Sequence, residues 1–169
     1  TWFDTREDPG HFMSRVYYSY SWDGGETWSP NRADAEPFDP SLGYPQQNKI
    51  GDYFQSQSDN GSLNLIFPAT FNGEQDIFVR DRQTGTTELV SVDSDEVQGP
   101  AGGSESPAIS NDGRYVAFAS WQWGLVAGDG NGLLDAFVRD RVAGTTERVS
   151  VDSSGNEADN ESLGISISS

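Results

Sequence analysis

The sequence predicts an all-β fold of short strands, and three observations support this. The apolar runs among the 169 residues are short and rich in Val, Ile, Phe, Tyr and Trp, which is typical of strands. The 19 Gly and 8 Pro fit many tight turns. No window of about 11 residues or more has a regular 3.6-residue apolar period, so we expect almost no helix.

A nearly identical segment occurs twice. The stretch DIFVRDRQTGTTELVSVDS (76–94) returns as DAFVRDRVAGTTERVSVDS (135–153), with 15 of 19 positions the same and an offset of 59 residues (135 − 76). Upstream, ESPAIS (105–110) returns as ESLGIS (161–166). Because the pieces recur in the same order, they indicate a repeat architecture.

Each repeat predicts four strands, A to D. The third region supplies A in PAISNDG (107–113), B in RYVAFAS (114–120), C in DAFVRDR (135–141) and D in TERVSVD (146–152). The second supplies A in IGDYFQSQSDNG (50–61), B in SLNLIFPATF (62–71), C in DIFVRDR (76–82) and D in TELVSV (87–92). The first supplies only B in TWFDTR (1–6), C in SRVYYSYS (14–21) and D in ETWSPN (26–31). A last strand A is predicted in SLGISISS (162–169).

Four-stranded sheets that repeat every 50 to 60 residues are typical of a β-propeller. The order BCD-ABCD-ABCD-A predicts one module of three blades, with boundaries near 1–40, 41–98 and 99–157, and a strand in 158–169 that completes a blade. An open wedge of three blades would expose apolar sheet faces. We therefore expect self-association, most simply a homodimer that forms a six-bladed ring with two-fold symmetry. A fragment of a longer propeller is the alternative.

Composition excludes several functions. The net charge of −17, from 27 acidic and 10 basic residues, argues against nucleic-acid binding. No apolar stretch is long enough for membrane insertion. The absence of Cys excludes disulfides, thiol catalysis and Cys-bound zinc, and His11 as the only His argues against a multi-His metal site and a Ser-His-Asp triad. We expect a secreted or periplasmic protein.

The stretch SWDGGETW (21–28) predicts a tight turn. Asp23 can accept hydrogen bonds from nearby backbone N–H groups, Gly24 and Gly25 allow positive φ, and Trp28 can pack under the hairpin. The spacing of Ser21, Asp23, Gly25 and Trp28 resembles the Asp box of bacterial sialidase-like (neuraminidase-repeat) propellers. WFDTR, NKIGDYF and NGEQDIFV extend this resemblance over about 1–79. In that family the box lies on the C–D hairpin away from the catalytic side, which implies a structural role.

The rest of the chain, about 76–169, resembles a different group. The segment SPAISNDGRYVAFASWQWGLVAGDGNGLLDAFVRDRVAGTTERVSV (106–151) is similar to TolB-like, WD-type propeller repeats. Those proteins mostly bind other proteins or act as scaffolds. The chain therefore resembles a natural or artificial fusion of two propeller types that meet near QDIFVRD.

The sialidase resemblance also implies a chemistry to look for. Sialidases use an Arg triad for the substrate carboxylate, a Tyr–Glu nucleophile pair and an Asp acid/base. The residues available for these roles are Arg6, Arg15, Arg32, Tyr17, Tyr53 and Asp52. The family's N-terminal Arg motif and its Asp acid/base segment are missing, so we assign no catalytic residue.

The loop GDGNGLLD is a candidate calcium site. Asp129, Asn131 and Asp135 offer oxygen ligands with a spacing like the start of an Asp-rich calcium loop, but without its closing Glu. An ion-free loop is the alternative. No cofactor is required by the sequence.

Two further motifs are candidates for ligand binding. RDR recurs at 80–82 and 139–141, which argues for a structural role in which Asp81 and Asp140 pair with Arg or cap turns. An anion pocket formed by Arg80 and Arg139 at the ring centre is the alternative. In SWQWGL, Trp121 and Trp123 lie on one side of an extended segment and could stack on a sugar or a protein, with packing between blades as the alternative.

Taken together, the sequence predicts a non-catalytic extracellular binding or scaffold propeller that self-assembles and binds a glycan or a protein. A sialidase-like hydrolase fragment is one alternative. A recombined or engineered propeller whose only property is folding and assembly is another.

Overall fold

The fold is all-β. The structure is a computed structural model that describes residues 1–10, 12–34, 36–42, 54–59, 62–71, 73–100 and 102–168. Within these ranges there is no helix, and eleven strands form three antiparallel sheets of three, four and four strands. The prediction of an all-β chain is confirmed. Because the described residues contain no helix, none could cross a membrane as a helix.

The strands follow one another in space as they do in sequence. The first sheet contains β1 (Trp2–Asp4), β2 (Arg15–Tyr20) and β3 (Ser29–Arg32). The second contains β4 (Gln55–Asp59), β5 (Ser62–Ala69), β6 (Asp76–Asp81) and β7 (Thr86–Leu89). The third contains β8 (Ser104–Ile109), β9 (Tyr115–Ser120), β10 (Asp135–Asp140) and β11 (Thr145–Arg148).

The repeated RDR motif ends the third strand of the two complete sheets. The Asp81 carboxylate accepts hydrogen bonds from the N–H groups of Gln83 and Thr84, and Asp140 does the same for Val142 and Ala143. The turns then close through Gly85 and Gly144, at φ 70° and 68°, where a residue with a Cβ would be strained. The central Asp of RDR therefore fixes the turn into the outer strand, and Asp140 also pairs with Arg114 at 2.6 Å.

Two hydrophobic clusters join neighbouring sheets. One joins the first and second sheets and includes Val16, Tyr18 and Phe67, and the other joins the second and third and includes Ile77 and Phe137. Phe137 has no exposed surface, so its truncation to Ala would cost about 3–5 kcal/mol.

A stacked aromatic pair recurs in all three sheets, between β5 and β6, between β9 and β10, and between β1 and β2. The stacked pairs are Phe67–Phe78, Phe118–Phe137 and Trp2–Tyr17, with ring centroids 6.1, 5.8 and 5.8 Å apart. In the second and third sheets the pair packs against the preceding sheet. Since side chains alternate along a strand and Val16 and Tyr18 pack on the second sheet, Trp2 and Tyr17 lie on the opposite side.

The end of the chain differs from the predicted strand in 158–169. Residues 158–168 form no strand in this chain, because no strand among the described residues pairs with them. The backbone N–H of Ser162 nevertheless donates to the carbonyl of Leu134 at 2.7 Å, as Ser104 at the start of β8 donates to Gln75 at 2.6 Å. By this contact Ser162 corresponds to Ser104, whereas the match of ESLGIS with ESPAIS aligns Ser162 with Ser106. The correspondence in the structure therefore differs from the sequence match by two residues.

Candidate functional site

The Asp-box turn is stabilised by its own side chains. The Asp23 carboxylate accepts hydrogen bonds from the N–H and the hydroxyl of Thr27 at 2.9 and 2.5 Å and from the Ser21 hydroxyl at 2.6 Å. The hydrogen bonds from Ser21 and Thr27 hold the pKa of Asp23 well below its usual range. Gly24 and Gly25 lie at φ 74° and 100°. These hydrogen bonds tie the Asp23 carboxylate into the turn itself.

The sequence suggested that Trp28 packs under the hairpin, but in the structure it does not. Its side chain is 62% exposed, and its Nε1–H donates to the carbonyl of Gly25 at 3.0 Å. Strand β3 also begins at Ser29 rather than at Glu26, because Asp23 holds Thr27 inside the turn.

The densest group of charged side chains lies on the outer side of the first sheet, around Tyr17. The Tyr17 hydroxyl donates to Glu7 at 2.6 Å. Arg15 and Arg32 approach the other oxygen of Glu7 at 3.0 and 3.5 Å and also contact Asp34 at 3.0 and 3.5 Å. These residues share one side because Tyr17 pairs directly with Arg32 across the sheet, two positions along the strand from Arg15.

The electrostatics of this tyrosine cluster favour internal neutralisation. The hydrogen bond from Tyr17, aided by Arg15 and Arg32, lowers the pKa of Glu7. The same hydrogen bond raises the pKa of Tyr17, so the phenol keeps its proton at neutral pH. Burial raises the pKa of Asp34 despite its two arginine partners. Each cation of the cluster already faces a carboxylate of the same chain.

Several of the residues that the sialidase resemblance suggested do come together. Arg6 lies over the ring of Tyr17 at 5.1 Å and forms an ion pair with Asp4, so Arg6, Arg15, Arg32 and Tyr17 are neighbours. Tyr53 and Asp52 lie outside the described residues. Sequence reasoning missed Glu7, which sits in an unremarkable turn, and only its distance from Tyr17 identifies it.

The RDR arginines lie between sheets rather than in an open channel. The Arg139 side chain is 2% exposed and donates to the carbonyl of Asp93 at 2.9 Å, to the Thr146 hydroxyl at 3.2 Å and to Glu96. Arg80 donates in the same way to Thr87 at 3.1 Å. The protein partners of Arg139 leave no open anion pocket around it.

The second arginine of each motif also reaches the preceding sheet. Arg82 lies over the ring of Tyr20 at 3.9 Å and over that of Trp22 at 4.8 Å. Arg141 forms an ion pair with Glu88 at 2.8 Å. These contacts help to join consecutive sheets.

An acidic cluster forms beside the candidate calcium loop, but its members differ from the predicted set. Carboxylate oxygens of Asp129, Asp135 and Glu157 lie within 4.8 Å of one another. Asn131 is directed elsewhere: its amide donates to the carbonyl of Ala158 at 3.0 Å, and its oxygen accepts from Leu133 at 2.8 Å. Glu157 was missed, although it stands where the preceding repeat has Gln98.

The two candidate tryptophans occupy different environments. Trp123 is 58% exposed, whereas Trp121 is half-buried and its backbone N–H donates to the carbonyl of Gly103 at 3.1 Å. Trp22 and Trp28, at 72% and 62%, are the other exposed indoles among the described residues. Exposed indoles are candidate contacts for a sugar ring or a protein surface.

Comparison with known proteins does not identify a family for this chain. No protein-family model matches the sequence, and no curated protein is significantly similar to it. The resemblances to sialidase-like and TolB-like propellers therefore stay predictions, and function has to be argued from the geometry.

Proposed function

We propose that this chain is a non-catalytic β-propeller module that assembles with a second copy of itself and serves as a binding scaffold. The observation that carries the proposal is the contact between Ser162 and Leu134. It repeats the contact by which β8 begins the third sheet. This similarity supports our proposal that the segment after β11 serves as the first strand of a following sheet.

The first sheet offers the complementary edge. It has three strands, and β1 corresponds to the second strand of the other sheets, so its first-strand position is open among the described residues. The Trp2–Tyr17 pair occupies the position of Phe118–Phe137, which packs on a preceding sheet. A third sheet from a second copy would supply both the missing strand and the surface for this pair.

Two copies joined in this way at both ends would form a closed ring of six sheets with two-fold symmetry. Closure removes exposed sheet edges, which otherwise template aggregation. The net charge of −17 on each copy opposes association, so shape and local contacts have to provide the affinity.

The experiment is sedimentation equilibrium of the 169-residue chain with Ser166→Pro and Ser166→Ala. By the contact of Ser162, Ser166 corresponds to Ala108, which pairs with Ala117 in the third sheet. We expect a dimer for the wild type and Ser166→Ala, and a monomer for Ser166→Pro, because proline removes a strand N–H where no strand exists in the single chain. Circular dichroism of Ser166→Pro should match the wild type. A well-folded monomer at all wild-type concentrations would refute the assembly, as would a dimer that Ser166→Pro leaves intact.

The ligand we propose is a glycan or a protein held by exposed indoles, with Trp22, Trp28 and Trp123 as the contacts. A glycan array and pull-downs with Trp123→Ala as the comparison test this. If no ligand binds, we would instead propose a recombined or engineered propeller whose only property is folding and assembly. Following the resemblance to secreted propellers, we place it outside the cell or in the periplasm.

A second candidate is a sialidase-like hydrolase, favoured by the Tyr17–Glu7 hydrogen bond beside Arg15 and Arg32. It is the weaker candidate because carboxylates of the same chain neutralise the arginines that would bind a substrate carboxylate. Turnover of a sialylated aryl glycoside that disappears in Tyr17→Phe and survives in Tyr18→Phe would establish it. No turnover by the wild type would eliminate it.

A further inference from the structure

The junction between the second and third sheets contains a buried, fully occupied carboxylate. Asp76 has no exposed surface and accepts hydrogen bonds from the Ser91 hydroxyl at 2.7 Å, the Gln98 amide at 2.6 Å and the Gln122 amide at 2.8 Å. Ser91 and Gln98 follow the outer strand of the same sheet, but Gln122 follows β9 in the next sheet. A donor from the following sheet is thus part of this arrangement.

The same position in the third sheet has a different set of partners. Asp135 replaces Asp76 and Ser150 replaces Ser91, with its hydroxyl 2.6 Å from Asp135. The bridges Val92–Gln98 and Val151–Glu157 equate Gln98 with Glu157, so an amide donor has become a carboxylate acceptor.

One oxygen of Asp135 is left without a donor. The Asp135 side chain has no exposed surface, and its Oδ2 atom has no hydrogen-bond partner among the described residues. Such an oxygen is costly to bury, since an unmade hydrogen bond to a charged group forfeits stabilisation. This oxygen lies 3.9 Å from the Arg148 Nη1 atom that also contacts Asp129 and Glu157.

The charge of this acidic cluster is only partly balanced. Its one described cation, Arg148, lies 2.9 Å from Glu157, 3.4 Å from Asp129 and 3.9 Å from Asp135. Burial and the neighbouring carboxylates raise the pKa of Asp129 above its usual value. The cluster therefore has three carboxylates for one guanidinium. Asp135 also lacks the hydrogen bond that Asp76 receives from the amide of Gln122.

The strand register identifies the residue that a following first sheet would place there. In each sheet one backbone N–H in β6, β10 or β2 donates to a side chain just beyond the outer strand: Ile77 to Ser91, Ala136 to Ser150 and Val16 to Asp34. Ile77 directly follows Asp76, Ala136 follows Asp135 and Val16 follows Arg15. Arg15 in β2 is therefore the counterpart of Asp76 and Asp135. Since Ser120 pairs with Asp135 and Asp4 pairs with Arg15, the counterpart of Gln122, two residues further, is Arg6.

We propose that Arg6 of one copy inserts between Asp135 and Glu157 of a second copy and supplies the missing donor. The inference rests on the proposed assembly. Within its own chain the Arg6 side chain is 58% exposed and pairs with Asp4, and exposed pairs contribute little. Transfer of the guanidinium to a buried, underbalanced carboxylate group gives stronger charge-assisted hydrogen bonds.

The test is a double-mutant cycle on the dimer dissociation constant, measured by sedimentation equilibrium. The variants are Arg6→Ala, Glu157→Gln and the double variant. We expect Arg6→Ala to weaken the dimer roughly 10- to 100-fold, as for loss of hydrogen bonds to a charged group. The double variant should lose less than the product of the single effects, because the two residues interact. Arg114→Ala is the matched control, since that half-exposed arginine pairs with Asp140 at the opposite end of β10 and should leave the dimer unchanged.

The outcomes separate this proposal from the assembly on which it rests. A monomeric wild type overturns both. A wild-type dimer that Arg6→Ala weakens no more than Arg114→Ala, with additive effects in the cycle, overturns only the arginine contact. If millimolar Ca²⁺ tightens the wild-type and Arg6→Ala dimers equally and Glu157→Gln abolishes that effect, a cation occupies the cluster instead and the arginine contact is wrong.

Discussion

Asp76 and Asp135 occupy the same position in successive sheets, so the same substitution at the two sites makes a matched experiment. Asp76 accepts hydrogen bonds from Ser91, Gln98 and Gln122, whereas Asp135 accepts one from Ser150 and faces Asp129 and Glu157. We predict that replacement by Asn has opposite consequences at the two positions.

The magnitudes follow from the partners. In Asp76→Asn one oxygen becomes an NH₂ group that faces a glutamine amide, and the charge that strengthened the remaining bonds is gone. Loss of one hydrogen bond to a charged group costs about 2–3 kcal/mol, or a fall in Tm of roughly 5–10 °C in a domain of this size. In Asp135→Asn the Ser150 contact survives, a like charge disappears and the new amide can donate to Glu157. We expect no loss, or a gain of up to about 1 kcal/mol.

The assay is urea unfolding at pH 7, followed by tryptophan fluorescence and circular dichroism, at several protein concentrations so that unfolding is separated from association. Equal m-values for both variants would show that the comparison concerns stability alone. The reasoning is refuted if Asp135→Asn destabilises the chain as much as Asp76→Asn, or if Asp76→Asn has no effect.

Three further predictions concern other parts of the molecule. Gly99→Ala should lower the free energy of unfolding by about 1–3 kcal/mol, because the new Cβ would lie 2.7 Å from the Cβ of buried Gln122. Gly130→Ala is the control: its Cβ would have no atom within 4 Å, so the same urea titration should show a neutral or slightly stabilising effect. Asp129→Asn should be more stable than the wild type at pH 7. Burial and the acidic neighbours raise the pKa of Asp129. In thermal melts the advantage of the variant should therefore be full above that raised pKa and should vanish as the pH falls below the ordinary value of 3.8. Asp23→Ala should lower Tm at pH 7, and because hydrogen bonds from Ser21 and Thr27 lower the pKa of Asp23, the wild-type advantage should be present above pH 3.8 and lost only under more acidic conditions; an unchanged melting curve at pH 7 would contradict the role assigned to this turn.

Local features of the fold could be predicted from the sequence, because they depend on neighbours in the chain. Alternating apolar residues and the repeat located strands such as Tyr115–Ser120 and Asp135–Asp140, and Asp81 and Asp140 were assigned to turns. The outer strand of the first sheet was placed too early, since Asp23 extends the turn to Thr27.

The candidate sites depended on residues far apart in the chain, and there the sequence was a poorer guide. Gln122 reaches Asp76 across 46 positions, and Glu157 joins Asp129 from beyond the outer strand. A spacing rule for calcium ligands looks only along one loop, so it selected Asn131 and missed Glu157. A comparison of the repeats would have found the change from Gln98 to Glu157, but its meaning depends on where both side chains point.

The pairing of β9 with β10 has a consequence for how such chains can grow. The sequence unit that repeats, 76–134, contains the outer two strands of one sheet and the inner two strands of the next, so its boundaries fall in the middle of sheets. Duplication or loss of such a unit by recombination therefore always restores whole four-stranded sheets, because β9 pairs with β10 across the boundary. Chain length can change by one unit without ever creating a half-formed sheet at the site of the exchange.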